Sequence, residues 1–519
     1  MANYAGILSS PVPQTTRLNR AQVPNRAGGF GYQIDVWSQL DRFLILGTLG
    51  GTYYASERDI TVENVDAVLE CIKLDGPRVV RRLVEVDTAG RAPKKSPAHF
   101  VLALCIKHGD DRTRADAYLA VQAVCRTASH LFELVSQIDG LQKGWGRGLR
   151  RAVSDWYTSK SLDQVVYQAV NYGTRNGWSH RDLLRLAHIN GGANPVYGWL
   201  AGKNKLEHSL AQAVEEIKTA DAPRAAQLIA YNRIPREAVP THLLDSPLIW
   251  EALAQNMPMT ALIRNLNKMT AVGLITPAGK ATREICDQLT SFEKLGAARV
   301  HPINLLTALS TYRQGHGVKG SLKWDPVGRI NAALSEAVML SFGALPQYER
   351  DELIAIDISP SMIGQQLTNF GSLRLHEVAA CMALAAAHSN PAAQVVVFDT
   401  EWRAIDVSGR RLDDIVTGLG KSMRGGTDLS QPIYAAEKQR GPKPVVIQIY
   451  TDDETWAGRM HPEQVWTRYK SAVPSAKCVV ASMTASRTTS MPQSEDCLQV
   501  VGFDSALPQL IEAFTEGIA

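Results

Sequence analysis

The spacing of apolar side chains changes once along the chain, and the change divides it. From Val36 to about Gly343, hydrophobic residues recur at three- and four-residue intervals in short pieces punctuated by Gly, Pro and Asn, which predicts amphipathic helices. Ala115–Val135, Leu149–Trp156, Leu162–Tyr172, Asp182–His188, Ser209–Ile217, Thr260–Met269, Ala281–Lys294 and Pro302–Tyr312 carry the pattern, and β-branched runs of period two are almost absent. About 300 residues of such helices exceed one four-helix bundle, whereas stacked helix pairs of the HEAT or armadillo kind accommodate them. No sequence period marks the repeats, so this expectation rests on helix length and number alone.

From Asp351 the texture alternates. Leu353–Asp357, Gln394–Phe398, Val445–Tyr450, Lys477–Ala481 and Leu498–Val501 are near-continuous apolar runs suited to strands buried on both faces of a parallel sheet. Helical stretches separate them, Leu373–His388, Leu412–Leu419, Pro432–Gln439, Pro462–Lys470 and Leu507–Phe514. Strand and helix in alternation predict a doubly wound α/β domain with ligands at the carboxyl ends of its strands. Residues 1–35, rich in Pro, Gly and Asn, read as an extended arm. The expected organisation is therefore an arm (1–35), a helical-repeat domain (36–350) and an α/β domain (351–519).

Composition changes this picture little. At 519 residues the chain exceeds what one core supports, and 45% hydrophobic with 20% charged residues is ordinary for a globular protein. Seven scattered cysteines without Cys-x-x-Cys spacing point to reduced thiols in a cytoplasmic protein, not to disulfides or zinc. The N-terminus does not read as a signal peptide, and no stretch reads as a membrane span. Charge is more informative. Residues 351–519 hold 14 Lys and Arg against 20 Asp and Glu, net −6, which leaves 41 against 31, net +10, in residues 1–350. A basic part joined to an acidic one predicts that the first meets polyanions, although the excess is mild.

The first predicted strand of the α/β domain ends in Asp357-Ile358-Ser359-Pro360-Ser361. In a loop leaving a strand, alternate residues can converge, and Asp357, Ser359 and Ser361 offer hard oxygen donors suited to Mg²⁺ and poorly suited to zinc. Two later loops at the same edge, around Thr427 and around Asp452, can add oxygens. Each piece alone also reads as an ordinary loop or a helix cap. Gly420-Lys421-Ser422 and Gly279-Lys280 approach a P-loop but lack its spacing and strand context. Neither a His-Glu-x-x-His motif nor a Gly-x-Ser-x-Gly elbow in strand-turn-helix context occurs.

The densest basic stretch, Gln142–Arg151, holds Lys143, Arg147, Arg150 and Arg151 around Trp145. A second, Tyr172–Arg181, holds Arg175, His180 and Arg181 around Trp178. Cations contact phosphates while Trp, His and Arg planes stack on unpaired bases. The alternative is that glycines end helices, cations cap their last carbonyls and the tryptophans are core. Ser179 reads as an N-cap, so His180 and Arg181 open a helix. Arg264 and Lys268 lie one turn apart on an otherwise apolar helix and read either as a surface stripe or as a polyanion contact.

Leu46-Gly47-Thr48-Leu49-Gly50-Gly51-Thr52-Tyr53-Tyr54, Gly144-Trp145-Gly146-Arg147, Asn176-Gly177-Trp178-Ser179-His180-Arg181, Met259–Leu266 and Arg299-Val300-His301-Pro302 resemble, in order, the signature segments of the TROVE module. With Asp357-x-Ser-x-Ser, which resembles the metal-ion-dependent adhesion site of von Willebrand factor A domains, the whole chain from about 36 to 519 resembles the Ro autoantigen family. The resemblance implies a ring of HEAT-like repeats closed against the A domain. It implies small noncoding Y RNAs on a basic outer surface and 3′ ends of misfolded RNAs in a central hole. It also implies a link to exoribonucleases such as polynucleotide phosphorylase, and a Y RNA role for His180. The resulting expectation is a non-enzymatic RNA-binding protein with a divalent cation, Mg²⁺, on Asp357, Ser359, Ser361, Thr427 and Asp452. The rival readings are a metal-dependent adhesion module with a partner-binding solenoid, and a metal-dependent phosphohydrolase, which lacks a base or nucleophile other than carboxylates.

Overall fold

The computed structural model describes residues 10–47, 57–142, 144–189, 194–317, 320–342, 345, 347–365, 367, 370, 373–410, 412–419, 425–502 and 507–516. Lys143, the signature residues Thr48–Tyr54 and the loop Gly420–Arg424 lie outside the described residues.

The arm is not featureless. It forms a hairpin, β1 (Gln22–Pro24) and β2 (Phe30–Gln33), joined at a Gly28 of φ 92°. The helical module then runs α1 (Val36–Leu46), α2 (Glu57–Ala89), α3 (Ser96–His108), α4 (Asp111–Val124), α5 (Ala128–Gly140), α6 (Arg147–Thr158) and α7 (Leu162–Asn171). A short hairpin, β3 (Thr174–Arg175) and β4 (Trp178–Ser179), leads into α8 (His180–Leu186), α9 (Pro195–Leu200), α10 (Ser209–Glu216), α11 (Ala222–Asn232) and α12 (Pro247–Asn256). The module ends with α13 (Met259–Ala271), α14 (Lys280–Leu289), α15 (Phe292–Ala298), α16 (Pro302–Arg313) and α17 (Gly328–Leu340).

Local chemistry sets these boundaries. Two expected helices are each two, because polar caps interrupt them: Thr127 accepts from the His130 N–H within Ala115–Val135, and Ser291 accepts from the Lys294 N–H within Ala281–Lys294. In α2, Pro77 cannot donate, and the backbone leaves helical geometry at Asp75. Neighbouring helices pack in pairs, α1 on α2, α3 on α5, α11 on α12 and α16 on α17. The array returns on itself: Arg299 Nη1 donates to the Thr88 carbonyl (3.0 Å), and His301 Nε2 lies 3.1 Å from the Arg91 carbonyl. Residues at the start of α16 thus meet the end of α2, closing a ring.

The A domain comprises β5 (Glu352–Asp357), α18 (Pro360–Gly364), α19 (Leu375–Ser389), β6 (Gln394–Phe398), β7 (Trp402–Ala404), α20 (Leu412–Leu419), α21 (Gln431–Lys438), β8 (Val446–Thr451), α22 (Pro462–Ala472), β9 (Lys477–Ser482), β10 (Thr488–Thr489), β11 (Cys497–Val501) and α23 (Leu507–Thr515). Its six-stranded sheet has the order β11-β9-β8-β5-β6-β7, parallel except for the antiparallel edge strand β7, which the apolar runs did not reveal. Alternate residues face opposite layers: Ile354, Ile356, Val395 and Val397 join a core continuous with the helical ring, while Leu353, Ala355, Val396 and Phe398 pack against α21 and α22. β10 pairs with β2, so the N-terminal hairpin is added to the A domain. The seven cysteines are free, and only Cys286 is not fully buried. Among the described residues no helix is long and apolar enough to cross a membrane.

Arg42 of α1 is fully buried where ring and A domain meet. Its Nη1 donates to the Ser486 carbonyl (2.9 Å), Ser486 Oγ (3.1 Å) and the Thr488 carbonyl (3.2 Å), and its Nη2 lies 3.6 Å from Asp453 Oδ2. Truncating one member of a buried pair strands the other charge, so Arg42→Ala is expected to cost about 3–5 kcal/mol in urea denaturation. The double variant Arg42→Met/Asp453→Leu is expected to recover part of that loss; a double variant worse than the sum of the singles would show that the pair is not the source.

Candidate functional site

β5 and β8 are adjacent and parallel, which brings the loops after Asp357 and Thr451 to one edge. Thr451 Oγ1 donates to Asp357 Oδ2 (2.6 Å), and the Ser359 N–H donates to Asp357 Oδ1 (2.8 Å). Ser359 Oγ and Ser361 Oγ are 3.1 Å apart. The third loop is tied to the second, since the Trp456 and Ala457 N–H groups both donate to the Thr427 carbonyl (3.0 and 2.9 Å). Asp357, Ser359, Ser361, Thr427 and Asp452 are all buried. The loops the sequence singled out therefore share one edge.

That edge carries more negative charge than its partners offset. Burial and then Asp399 push the Asp357 carboxyl up to about 6. Burial and then Asp357 push Asp452 well above the usual carboxylate range. Glu454 rises to about 7 because it is buried and stands beside Asp453, with Arg26 partly opposing the shift. Thr427 Oγ1 and Asp452 Oδ2 are buried with no hydrogen-bond partner. Unpartnered buried oxygens are costly, and a hard cation coordinated by oxygen is one way to satisfy them. Asp399 at the end of β6 escaped the sequence reading because it belongs to no alternating motif.

The arm braces these loops. Gln14, fully buried, donates from Nε2 to Asp428 Oδ1 (2.7 Å), Ser430 Oγ (3.1 Å) and the Met460 carbonyl (2.9 Å), and its Oε1 accepts from Thr455 Oγ1 and the Gly458 N–H. The Arg26 N–H donates to Glu454 Oε2 (3.0 Å). A Cβ at Gly29 would overlap the Thr455 carbonyl oxygen, so only glycine lets the arm approach this closely.

On the helical ring the two basic segments meet. The indoles of Trp145 and Trp178 are 6.1 Å apart. Arg175 stands across the hairpin from Trp178 through an Asn176-Gly177 turn with both φ positive, the geometry that matches strand twist. Arg147, Arg175 and Arg181 are exposed around this pair. Arg151 is exposed too, 3.7 Å from Asp155, whereas Arg150 is half-buried. Ser179 caps α8 as its sequence suggested, in a reciprocal box with Asp182.

Two of the expected RNA contacts are engaged within the protein. His180 is only 4% exposed; its Nδ1 lies 2.8 Å from the Tyr157 hydroxyl and its Nε2 3.1 Å from the Tyr172 carbonyl, so neither nitrogen is open to a phosphate. Lys268 does not accompany Arg264, because its Nζ is held 2.7 Å from Asp245 Oδ1. Arg264 instead lines a cavity of about 280 Å³ with Lys94, Thr260, Asn304 and Phe370 of the A domain. Burial, and then the Arg264 charge, lower the Lys94 ammonium, whose Nζ stands 4.8 Å from the Phe370 ring centre. Lys94 was missed although Lys94-Lys95 is a visible basic pair, because nothing in the sequence places it opposite α13.

Residues 23–229 and 232–311 match the TROVE domain, and residues 352–515 match the Ro60 vWA domain. The chain is 36% identical over 519 positions to the RNA-binding protein RO60 of Deinococcus radiodurans, covering 97% of each. It is 31% identical over 596 positions to that of Caenorhabditis elegans, covering 97% of this chain and 91% of the relative. The crystal structure of the Deinococcus radiodurans RO (RSR) protein superposes with a TM-score of 0.70 at 34% identity, over 93% of this chain and all of that one.

Burial lowers His180 from 6.5 to about 4, against the opposing Tyr172 carbonyl. A depressed folded value means that the unfolded chain takes up the proton first, so this stability is fully present above pH 6.5 and is lost as pH falls towards 4. Denaturant midpoints measured between pH 7 and 4 are expected to fall, and His180→Gln to flatten the slope. An unchanged slope would count against the buried neutral imidazole.

Proposed function

The chain belongs to the Ro60 family, and from that premise we propose that it is a non-enzymatic RNA-binding scaffold acting in RNA quality control and processing. Small structured noncoding RNAs of the Y class bind the outer basic surface around Trp145 and Trp178. Unpaired 3′ ends of misfolded or immature RNAs enter the opening of the helical ring. An exoribonuclease such as polynucleotide phosphorylase acts on the RNA so held, in the cytoplasm. The observation that carries the reading is that Lys94 and Arg264 line one cavity wall, where burial and then the Arg264 charge disfavour the Lys94 ammonium. A phosphate backbone relieves that repulsion and releases counterions on binding.

The hydroxyls of Ser359, Ser361 and Thr427 and the carboxylates of Asp357 and Asp452 would hold a divalent cation, Mg²⁺, at the A-domain edge. The unsatisfied oxygens and the excess of buried carboxyls support this. When bound, the ion offers an electrophilic position for an acidic group of a partner. The arm keeps the loops in register.

The test separates the surfaces. Arg175→Glu with Arg181→Glu is expected to weaken binding of a tailless RNA hairpin about tenfold or more and to reduce the slope of log affinity against log salt by about 1 for each phosphate no longer neutralised. Lys94→Glu with Arg264→Glu is expected to leave hairpin binding intact and to remove the advantage of an unpaired 3′ extension. A tail that confers its full advantage on that variant would refute the opening as the end-binding site. Ser359→Ala with Ser361→Ala is expected to abolish Mg²⁺ binding by calorimetry with RNA affinity unchanged. Equal loss of both would refute the separation of metal and RNA functions.

A further inference from the structure

A second cavity, of about 380 Å³, opens beside the first and shares Thr260 and Arg264 with it. Its walls come from three stretches of the chain, 167–172, 229–237 and 252–265. Helix α7 supplies Tyr167 and Asn171, with Tyr172 at its end; α12 supplies Asn256, and α13 supplies Asn265. The volume lies within the roughly 300–1,000 Å³ typical of small-molecule sites. Its lining offers what a nucleotide needs: the rings of Tyr167 and Tyr172, the carboxamides of Asn171 and Asn256, which both donate and accept, and the cations Arg233 and Arg236 beside Glu237. Arg264 stands where the two cavities join; burial, then Tyr167 and Glu237, push the Tyr172 phenol up, and the Arg264 charge opposes them.

The platform is fixed in advance. The Tyr172 N–H donates to the Gln168 carbonyl (2.8 Å), and the Tyr172 carbonyl is the acceptor that faces His180 Nε2 (3.1 Å). His180 is in turn locked by the Tyr157 hydroxyl and lies edge-on to Phe132, with ring centres 5.0 Å apart. The buried imidazole, with both nitrogens facing protein partners, thus holds the backbone from which the tyrosine projects. A surface that needs no reordering loses less on binding.

We infer that this cavity receives one unpaired nucleotide of a single-stranded RNA, its base against Tyr172 and Tyr167 and its phosphate on Arg264. The site deepens the end-binding reading above and rests on it. A strand running along the Lys94 side can leave its phosphate at Arg264 and turn one base aside into the second cavity, so that a single nucleotide of the tail is held apart from the rest. Tyr172 acts by stacking, and His180 is a positioning residue for it.

The experiment is an abasic scan. A hairpin with an unpaired 3′ tail is made in a series in which each tail nucleotide in turn lacks its base, and every RNA is titrated against the full-length wild type and Tyr172→Ala. In the wild type one abasic position is expected to lower affinity about tenfold, the scale of one base stacked on an aromatic face. In Tyr172→Ala that position is expected to cost nothing further, whereas Tyr172→Phe restores the wild-type pattern. The tailless hairpin is expected to bind all three proteins alike, which a merely structural role for Tyr172 would not give. If Tyr172→Ala does not fold, Asn256→Ala on the opposite wall tests the same coupling. A scan with no position coupled to either residue overturns the inference while leaving end binding intact. A wild type that gains nothing from any tail overturns the end-binding reading, and this one with it.

Discussion

The buried Arg42 guanidinium is the contact on which the two-part architecture turns. It leaves the first helix of the ring, crosses into the A domain and satisfies backbone carbonyls at Ser486 and Thr488 before reaching Asp453. Burial disfavours its charge, and the Asp453 carboxylate opposes that cost. Such pairs contribute little net stability against an apolar alternative, but they tolerate few arrangements of the groups around them. Here the arrangement fixed is the loop that follows β8. Asp453 takes a left-handed backbone (φ 69°), and its Oδ1 accepts from the Ser490 N–H (2.8 Å). Asp452, the neighbouring residue, is thereby oriented by a contact made from the helical module.

The same loop is held from a third side by the arm, through Gln14, Asn25 and Arg26. Asn25 Nδ2 donates to the Thr455 carbonyl (2.6 Å), and Arg26 also pairs with Glu63 of α2 (2.5 Å). The edge of the A domain is thus assembled by residues from the start, the first helices and the last third of the chain. Burying five carboxyl groups, Asp357, Asp399, Asp452, Asp453 and Glu454, within these contacts leaves an electrostatic demand that Arg26, Arg42 and Arg403 meet only in part. The ring has the opposite character, with Lys94 and Arg264 on one cavity wall and Arg147 and Arg175 exposed beside the Trp145–Trp178 pair. Keeping acidic and basic clusters on separate modules keeps each from neutralising the other.

The fate of individual sequence readings follows from the range of the forces that decide them. Local rules succeeded where local chemistry decides: the Ser179 cap, the strand runs from Leu353 to Val501, and the Asp-x-Ser-x-Ser loop are governed by neighbours a few residues away. They failed where a cap interrupts an apolar pattern, as at Thr127 and Ser291, because periodicity continues across a break that one hydroxyl enforces. The burial of His180 was not legible either: a histidine at a helix start looks accessible, while the aromatic shell of Phe132, Tyr157 and Tyr172 that buries it comes from other segments.

By itself the sequence determined the change of texture at Asp351, the parallel character of the central strands, the loops at one sheet edge that carry Asp357, Ser359, Ser361, Thr427 and Asp452, and the basic segments around Arg147 and Arg175. All of these depend on period, residue type and short spacing, which a linear chain displays. Only the tertiary structure decided that Arg264 faces Lys94 while Lys268 turns to Asp245, that Gln14 and Arg42 brace the acidic loops, and that the array closes from Arg299 to Thr88. Each of those joins residues brought together when apolar faces are buried. Burial of apolar area is non-directional, so the sequence states which faces must be covered but not which distant polar groups meet at their margins.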